Sequence, residues 1–227
     1  MKQGTKQALI SYLSQFISDH KLQLFNTVIK ARTRYITVVL EDIYQSQNAS
    51  AVLRTCDGLG IQDIHIIENY NTYKINPDIT LGAAKWLTLK KYNDKKDNTI
   101  RTIRKLKGRN YRIIATSSTH SGSSLESFDI TEGQTAILLG NELNGLSETA
   151  KHNADELIYI PMYGFTESFN ISVSTAVLLY QLTNSLRNSK ISWKITPKEQ
   201  EDILFEWLRR SIKNCDSIIK KYLTDYC

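Results

Sequence analysis

Five short runs rich in β-branched and other apolar residues recur along this chain, at 35–40, 63–68, 111–116, 135–139 and 156–160. Between them, and after the last, stretches at 49–59, 98–107, 147–153 and 171–187 read as helices. Strands that are apolar throughout must be covered on both faces, and strands separated by helices run parallel. The pattern therefore predicts an α/β domain, a mostly parallel sheet with helices on both faces. At 227 residues the chain has room for one such core and short additions. Residues 1–34 carry Leu9, Leu13, Phe16 and Ile17 at helical spacing, and residues 189–227 carry Ile203, Leu204, Trp207, Leu208 and Ile212. Thr196 before Pro197, with Glu199 three residues on, predicts a capping box opening the second of these stripes. The expected division is a helical extension at 1–34, the α/β domain at 35–188, and a basic helical extension at 189–227.

Charge narrows the partner. The net charge is +6, and eleven basic residues lie between Lys85 and Arg112 against two acids, Asp94 and Asp97. The tail adds Arg209, Arg210, Lys213, Lys220 and Lys221. Such a distribution suits nucleic acid, although a solvated helix face gives the same pattern. Cys56, Cys215 and Cys227 have no metal-ligand spacing and read as reduced thiols. No signal-peptide core and no bilayer-length apolar stretch is present, so a cytoplasmic protein without membrane contact is expected.

Several chemistries are disfavoured. No G-x-G-x-x-G follows a strand and no G-x-x-x-x-G-K-[ST] occurs; Gly58-Leu59-Gly60 reads as a helix end and turn. The four histidines, His20, His65, His120 and His152, form no H-E-x-x-H, and no G-x-S-x-G elbow exists. No cluster suggests a metal.

Three segments remain: Asn48 to Gly60, containing Arg54; Leu139-Gly140-Asn141-Glu142-Leu143-Asn144-Gly145-Leu146-Ser147; and Ile160-Pro161-Met162-Tyr163-Gly164 followed by Ser168-Phe169-Asn170-Ile171-Ser172-Val173-Ser174. Singly, each has a structural explanation: Asn48 as a helix cap, Gly145 as a turn, the Ser/Asn-rich start of the last helix as another cap. Together, in this order and after these strands, they resemble the SPOUT methyltransferases, in the TrmH branch of tRNA ribose 2'-O-methyltransferases. The resemblance covers about 35–188, and Gly82-Ala83-Ala84-Lys85-Trp86 is similar to that branch's segment after its second strand.

The resemblance implies a deep C-terminal trefoil knot, S-adenosylmethionine held in it, and a homodimer whose active sites take residues from both subunits. By motif match it implies catalytic roles for Arg54, Asn48, Glu142, Ser168 and Asn170, and cofactor contacts at Thr116, Gly140, Ile160 and Phe169. Arg54 is marked as essential, with two roles open: proton acceptor, or stabiliser of charge on oxygen. Phe169 departs from the leucine usual between that Ser and Asn. Short basic helices at both ends resemble the members that methylate guanosine 18 in the D-loop of tRNA. The alternatives are the same chemistry on ribosomal RNA or another tRNA position, an RNA-binding module with a relic site, and a nucleotide-dependent oxidoreductase lacking its glycine fingerprint.

Overall fold

In the computed structural model, which describes residues 3–73, 76–94, 96–119 and 121–226, β1 (Ile36–Glu41) is buried along its whole length. His120 and Cys227, named above, and Lys95, one of the eleven basic residues counted there, lie outside the described residues. The other strands are β2 (Asp63–Ile67), β3 (Thr88–Tyr92), β4 (Arg112–Ser117), β5 (Ser123–Ser124), β6 (Thr135–Leu139) and β7 (Glu156–Tyr159). They form one sheet in the order β3-β2-β1-β6-β4-β7-β5, every pair parallel. The helices are α1 (Gln3–Ser14), α2 (Asp19–Lys30), α3 (Ser46–Gly58), α4 (Pro77–Thr80), α5 (Asn98–Lys107), α6 (Glu148–Asn153), α7 (Ile171–Asn188), α8 (Pro197–Ser211) and α9 (Cys215–Tyr226).

Burial follows the pleat. Ile36, Val38 and Leu40 of β1 share a core with Val52, Leu53 and Cys56 of α3 and Leu178, Leu179 and Leu182 of α7. Val39 joins Ile103 and Leu106 of α5 and Ala150 of α6 on the other face. Each such aliphatic side chain contributes about 1.5–3 kcal/mol when fully buried, and a one-residue slip would exchange the two faces. The α/β expectation, with helices on both faces, is met. At the C-terminal end of β1 the Glu41 carboxylate is buried but satisfied: it accepts from Ser147 N and Ser147 Oγ, both at 2.8 Å, and from Thr99 Oγ1. It thereby ties the starts of α5 and α6 to the sheet.

Two strands were not legible. β3 reads Thr-Leu-Lys-Lys-Tyr, its lysines masking an edge strand, and β5 has two residues. Helix α3 begins at Ser46, three residues before the predicted start. Asn48 is therefore not a cap but sits in the first turn.

Two compact units are formed, Thr33–Trp193 and the described part of Met1–Arg32 with Lys194–Cys227. In the second, Leu13, Leu208 and Cys215 share a small core, and the Phe25 and Trp207 rings meet edge-on at 5.3 Å between centroids. The capping box forms as read: Thr196 accepts from Glu199 N while the Glu199 carboxylate accepts from Thr196 N. The two ends of the chain, expected as separate extensions, thus contribute to one helical unit. Among the described residues Cys56 and Cys215 are in no disulfide, no His/Cys/Asp/Glu group is placed to hold a metal, and no helix is long and apolar enough to cross a membrane.

Candidate active site

The loops that follow β1, β4, β6 and β7 converge at the carboxyl ends of the strands, where open parallel sheets place their ligand crevices. A cleft of about 780 Å³ opens there. Its lining includes Thr116 from β4, Gly140 after β6, Ile160 after β7, and Ser168, Phe169 and Asn170 before α7. All four residues expected to contact a cofactor therefore line one cavity.

The β6–α6 loop is folded tightly on itself. Asn141 and Gly145 exchange two main-chain hydrogen bonds of 2.9 Å, and Gly145 has φ +66°, a conformation glycine adopts without strain. A side chain at Gly140 would come within 2.2 Å of the Gly145 and Leu146 backbone, so only glycine fits. The Asn141 amide donates to Asp42 O at 2.8 Å, which fixes this loop to the end of β1.

Held this way, Glu142 reaches the start of α3. Its carboxylate accepts from Tyr44 N at 3.1 Å, Gln45 N at 3.2 Å and Asn48 Nδ2 at 2.9 Å. Asn48 Oδ1 in turn accepts from Asn170 Nδ2 at 3.1 Å. Asn170 Oδ1 caps α7, accepting from Ser172 N at 2.8 Å and Ser172 Oγ at 2.6 Å. One hydrogen-bonded chain, Glu142–Asn48–Asn170–Ser172, thus joins the three motif segments. Hydrogen bonds to an ionised group are roughly twice as strong as neutral ones, so the carboxylate anchors the chain.

Arg54 stands apart. It is six residues beyond Asn48, about 240° around the helix in the direction of the chain. There it is exposed, and among the described residues it has no hydrogen bond or ion pair; it does not line the cleft. Ser168 is exposed and lines the cleft. Of the five residues marked as catalytic, the fold brings Asn48, Glu142 and Asn170 into direct contact and leaves Arg54 and Ser168 exposed, with only Ser168 of these two on the cleft.

Sequence reasoning missed Gln45 and Asp42. Gln45 adds its side-chain oxygen to Asn48 Nδ2 at 3.1 Å, and Asp42 Oδ1 accepts from Asn69 N and Tyr70 N at 2.6 and 2.8 Å. Asp42 has φ +51°. Neither belongs to a recurring pattern: Gln45 acts through Asn48, and Asp42 through loop backbone.

The SpoU rRNA Methylase family matches residues 35–180, well over half of the chain. The chain belongs to this family. The SpoU family match covers the whole of the sheet from β1 to β7 and most of α7. Within reach of this SpoU chain is the tRNA (guanosine(18)-2'-O)-methyltransferase of Borreliella burgdorferi, 43% identical over 90% of this chain and 92% of that protein. The enzyme of the same description from Thermus thermophilus is 31% identical over 81% of this chain and 93% of that one. The crystal structure of the TrmH/SpoU tRNA modifying enzyme of Aquifex aeolicus superposes with a TM-score of 0.76 at 28% identity, over 86% of this chain and 98% of that one. The family-level resemblance drawn from three short segments is borne out.

Proposed function

We propose that this protein is a tRNA (guanosine(18)-2'-O)-methyltransferase, which transfers the methyl group of S-adenosylmethionine to the ribose 2'-hydroxyl of that guanosine. The observation that carries this reading is the chain from Glu142 through Asn48 to Asn170 at the edge of the cleft. Relatives of that description matching nine-tenths of their length support the choice of substrate.

The cleft suits the proposed methyl donor. Leu139, Leu146, Ile160 and Leu178 offer apolar walls for an adenine ring, and the strand ends Thr116 and Gly140 offer main-chain groups for its polar edge. The bound donor supplies an electrophilic methyl group on a sulfonium, so the protein's task is alignment, charge stabilisation and proton removal. Glu142 and Asn48 hold the α3 start and the α7 cap in fixed relation, and Ser168 faces the space where a ribose would enter. A guanidinium keeps its protons near neutral pH, so Arg54 fits best as the group that orients an RNA phosphate, to which the 2'-hydroxyl proton passes, and stabilises charge on the 2'-oxygen.

Because Arg54 lies outside its own cleft, the complete site in this proposal is shared by two copies of the chain. Val173, Val177 and Tyr180 recur at helical spacing on α7 and are 46%, 38% and 65% exposed, the stripe expected of a helix awaiting a partner. A trefoil knot around the β6–α6 and β7–α7 loops belongs to the same proposal, as do 1–34 and 189–227 as RNA-binding extensions and a cytoplasmic location.

The test is methylation of unmodified total tRNA with labelled S-adenosylmethionine, followed by mapping. Label on the ribose of guanosine 18 is the expected result. Label confined to ribosomal RNA overturns the substrate, and donor binding without transfer to any RNA overturns the enzyme.

A further inference from the structure

Helix α5 and the turn after it form a strongly basic surface of the Thr33–Trp193 unit, on the sheet face opposite α3 and α7. Between Lys96 and Arg109 the chain has six basic residues and one acid, Asp97. The helix is strongly amphipathic. Thr102, Ile103 and Leu106 are buried against the sheet, while Arg101, Arg104 and Lys105 recur three and four residues apart on the outer face. Arg109, two residues past the helix, is also exposed. Acids neutralise only part of this face: Arg101 pairs with Asp94, and Lys107 pairs with Asp155 at 2.6 Å. Lys96, Arg104, Lys105 and Arg109 have no carboxylate partner among the described residues.

The cations crowd together. Lys105 Nζ lies 5.3 Å over the Tyr92 ring on the edge strand β3, and Tyr92 OH is 2.8 Å from His65 Nδ1. The field of Lys90, Arg109 and Lys105 is felt at that histidine, whose pKa falls to about 3, chiefly through burial and then through those cations. A surface that concentrates unpaired like charges costs the fold self-repulsion, which a polyanion would relieve. None of the exposed large hydrophobic residues lies on α5, so the face lacks the apolar anchors of a protein interface.

We propose that Arg104, Lys105 and Arg109 form a docking surface for the phosphate backbone of the tRNA, at a part of the molecule other than the arm that is methylated. From Arg104 to Arg109 the run extends about 7.5 Å at 1.5 Å per residue, enough to meet more than one phosphate, and two of its three residues can bind phosphate bidentately. Phosphate contacts of this kind hold register without reading sequence. The inference rests on the RNA-methylating function proposed above.

The test uses the full chain carrying R104Q, K105Q and R109Q together, with a full-length tRNA transcript and a D-arm hairpin as substrates. KM for the transcript is expected to rise about tenfold with kcat unchanged, and KM for the hairpin to stay as it is. Each lost phosphate contact removes about 0.7–0.9 from the slope of log affinity against log salt, so a drop of about 2 is expected. The charge-keeping variant R104K/R109K should retain most of the slope. An unchanged slope and KM in the triple variant overturns the docking surface, as does an equal KM rise on the hairpin. Wild-type protein that methylates no tRNA instead defeats the functional reading, and the binding slopes still judge the patch.

Discussion

Asn48 and Arg54 lie on one helix and face different tasks. Asn48 is buried and spends both ends of its amide on motif partners, Glu142 and Asn170. Arg54 is exposed, its side chain makes no hydrogen bond or ion pair among the described residues, and it is assigned to the RNA in the function proposed above. The Arg54→Ala variant should therefore lose methyl transfer altogether while binding S-adenosylmethionine within about twofold of the wild type. The Asn48→Ala variant leaves a carboxylate and an amide each short of a partner, a loss of about 1.5–3 kcal/mol, or roughly 10- to 100-fold in kcat/KM. Calorimetry for the donor and single-turnover methylation of tRNA measure both; near-normal turnover of Arg54→Ala would remove it from the reaction. The identities of these residues were legible as motif members. Their arrangement was not, because Asn48 reads as a cap until Glu142 and Gln45 are seen to fix the helix start three residues earlier.

At the scale of elements, β2, β3 and α5 enclose a histidine that shapes the acid response of the sheet edge. Burial, then Lys90, with smaller contributions from Arg109 and Lys105, hold His65 neutral with a pKa of about 3 against its ordinary 6.5, although Asp63 pulls the other way. The unfolded chain takes up a proton below about pH 6.5 that the folded imidazole refuses until about pH 3. Stability from this group is thus complete above pH 6.5 and falls by about 1.4 kcal/mol per pH unit below it, roughly 2 kcal/mol by pH 5. Asp63 acts in a different window: burial would raise its carboxyl, but Lys90 and Arg34 outweigh burial and hold it below 3.8, so its contribution fades only under more acid conditions. Urea unfolding at pH 7 and pH 5 should show this difference in the wild type and a much smaller one in His65→Gln. Equal pH sensitivity of the two proteins would show that His65 is not the group responsible. The central strands were readable because both their faces are apolar. β3 was not, because an edge strand beside a basic helix carries lysines where a central one carries valine.

At the scale of the molecule, the exposed stripe on α7 and the exposed Arg54 are what support the proposed arrangement, in which two chains complete each other's site. Val177→Asp places a charge in the middle of that stripe, where burial against a partner would be costly. The variant is expected to sediment as a monomer, to keep S-adenosylmethionine binding and to lose methyl transfer at least 100-fold. A monomeric variant with full activity would overturn the shared site. The period of the apolar pattern determined the parallel sheet and the helices on its two faces, because strand and helix periodicity are local properties of the chain. The three segments proposed to carry the chemistry were legible only through their motif resemblance to a family. Tertiary structure alone decided the rest. It set a strand from late in the sequence, β6, between β1 and β4, and brought the chain's two ends into one helical unit. It also joined Glu142 to Asn48 across 94 residues and Asn48 to Asn170 across 122. Those pairings are chosen by packing and hydrogen-bond satisfaction among distant segments, which no window along the sequence contains.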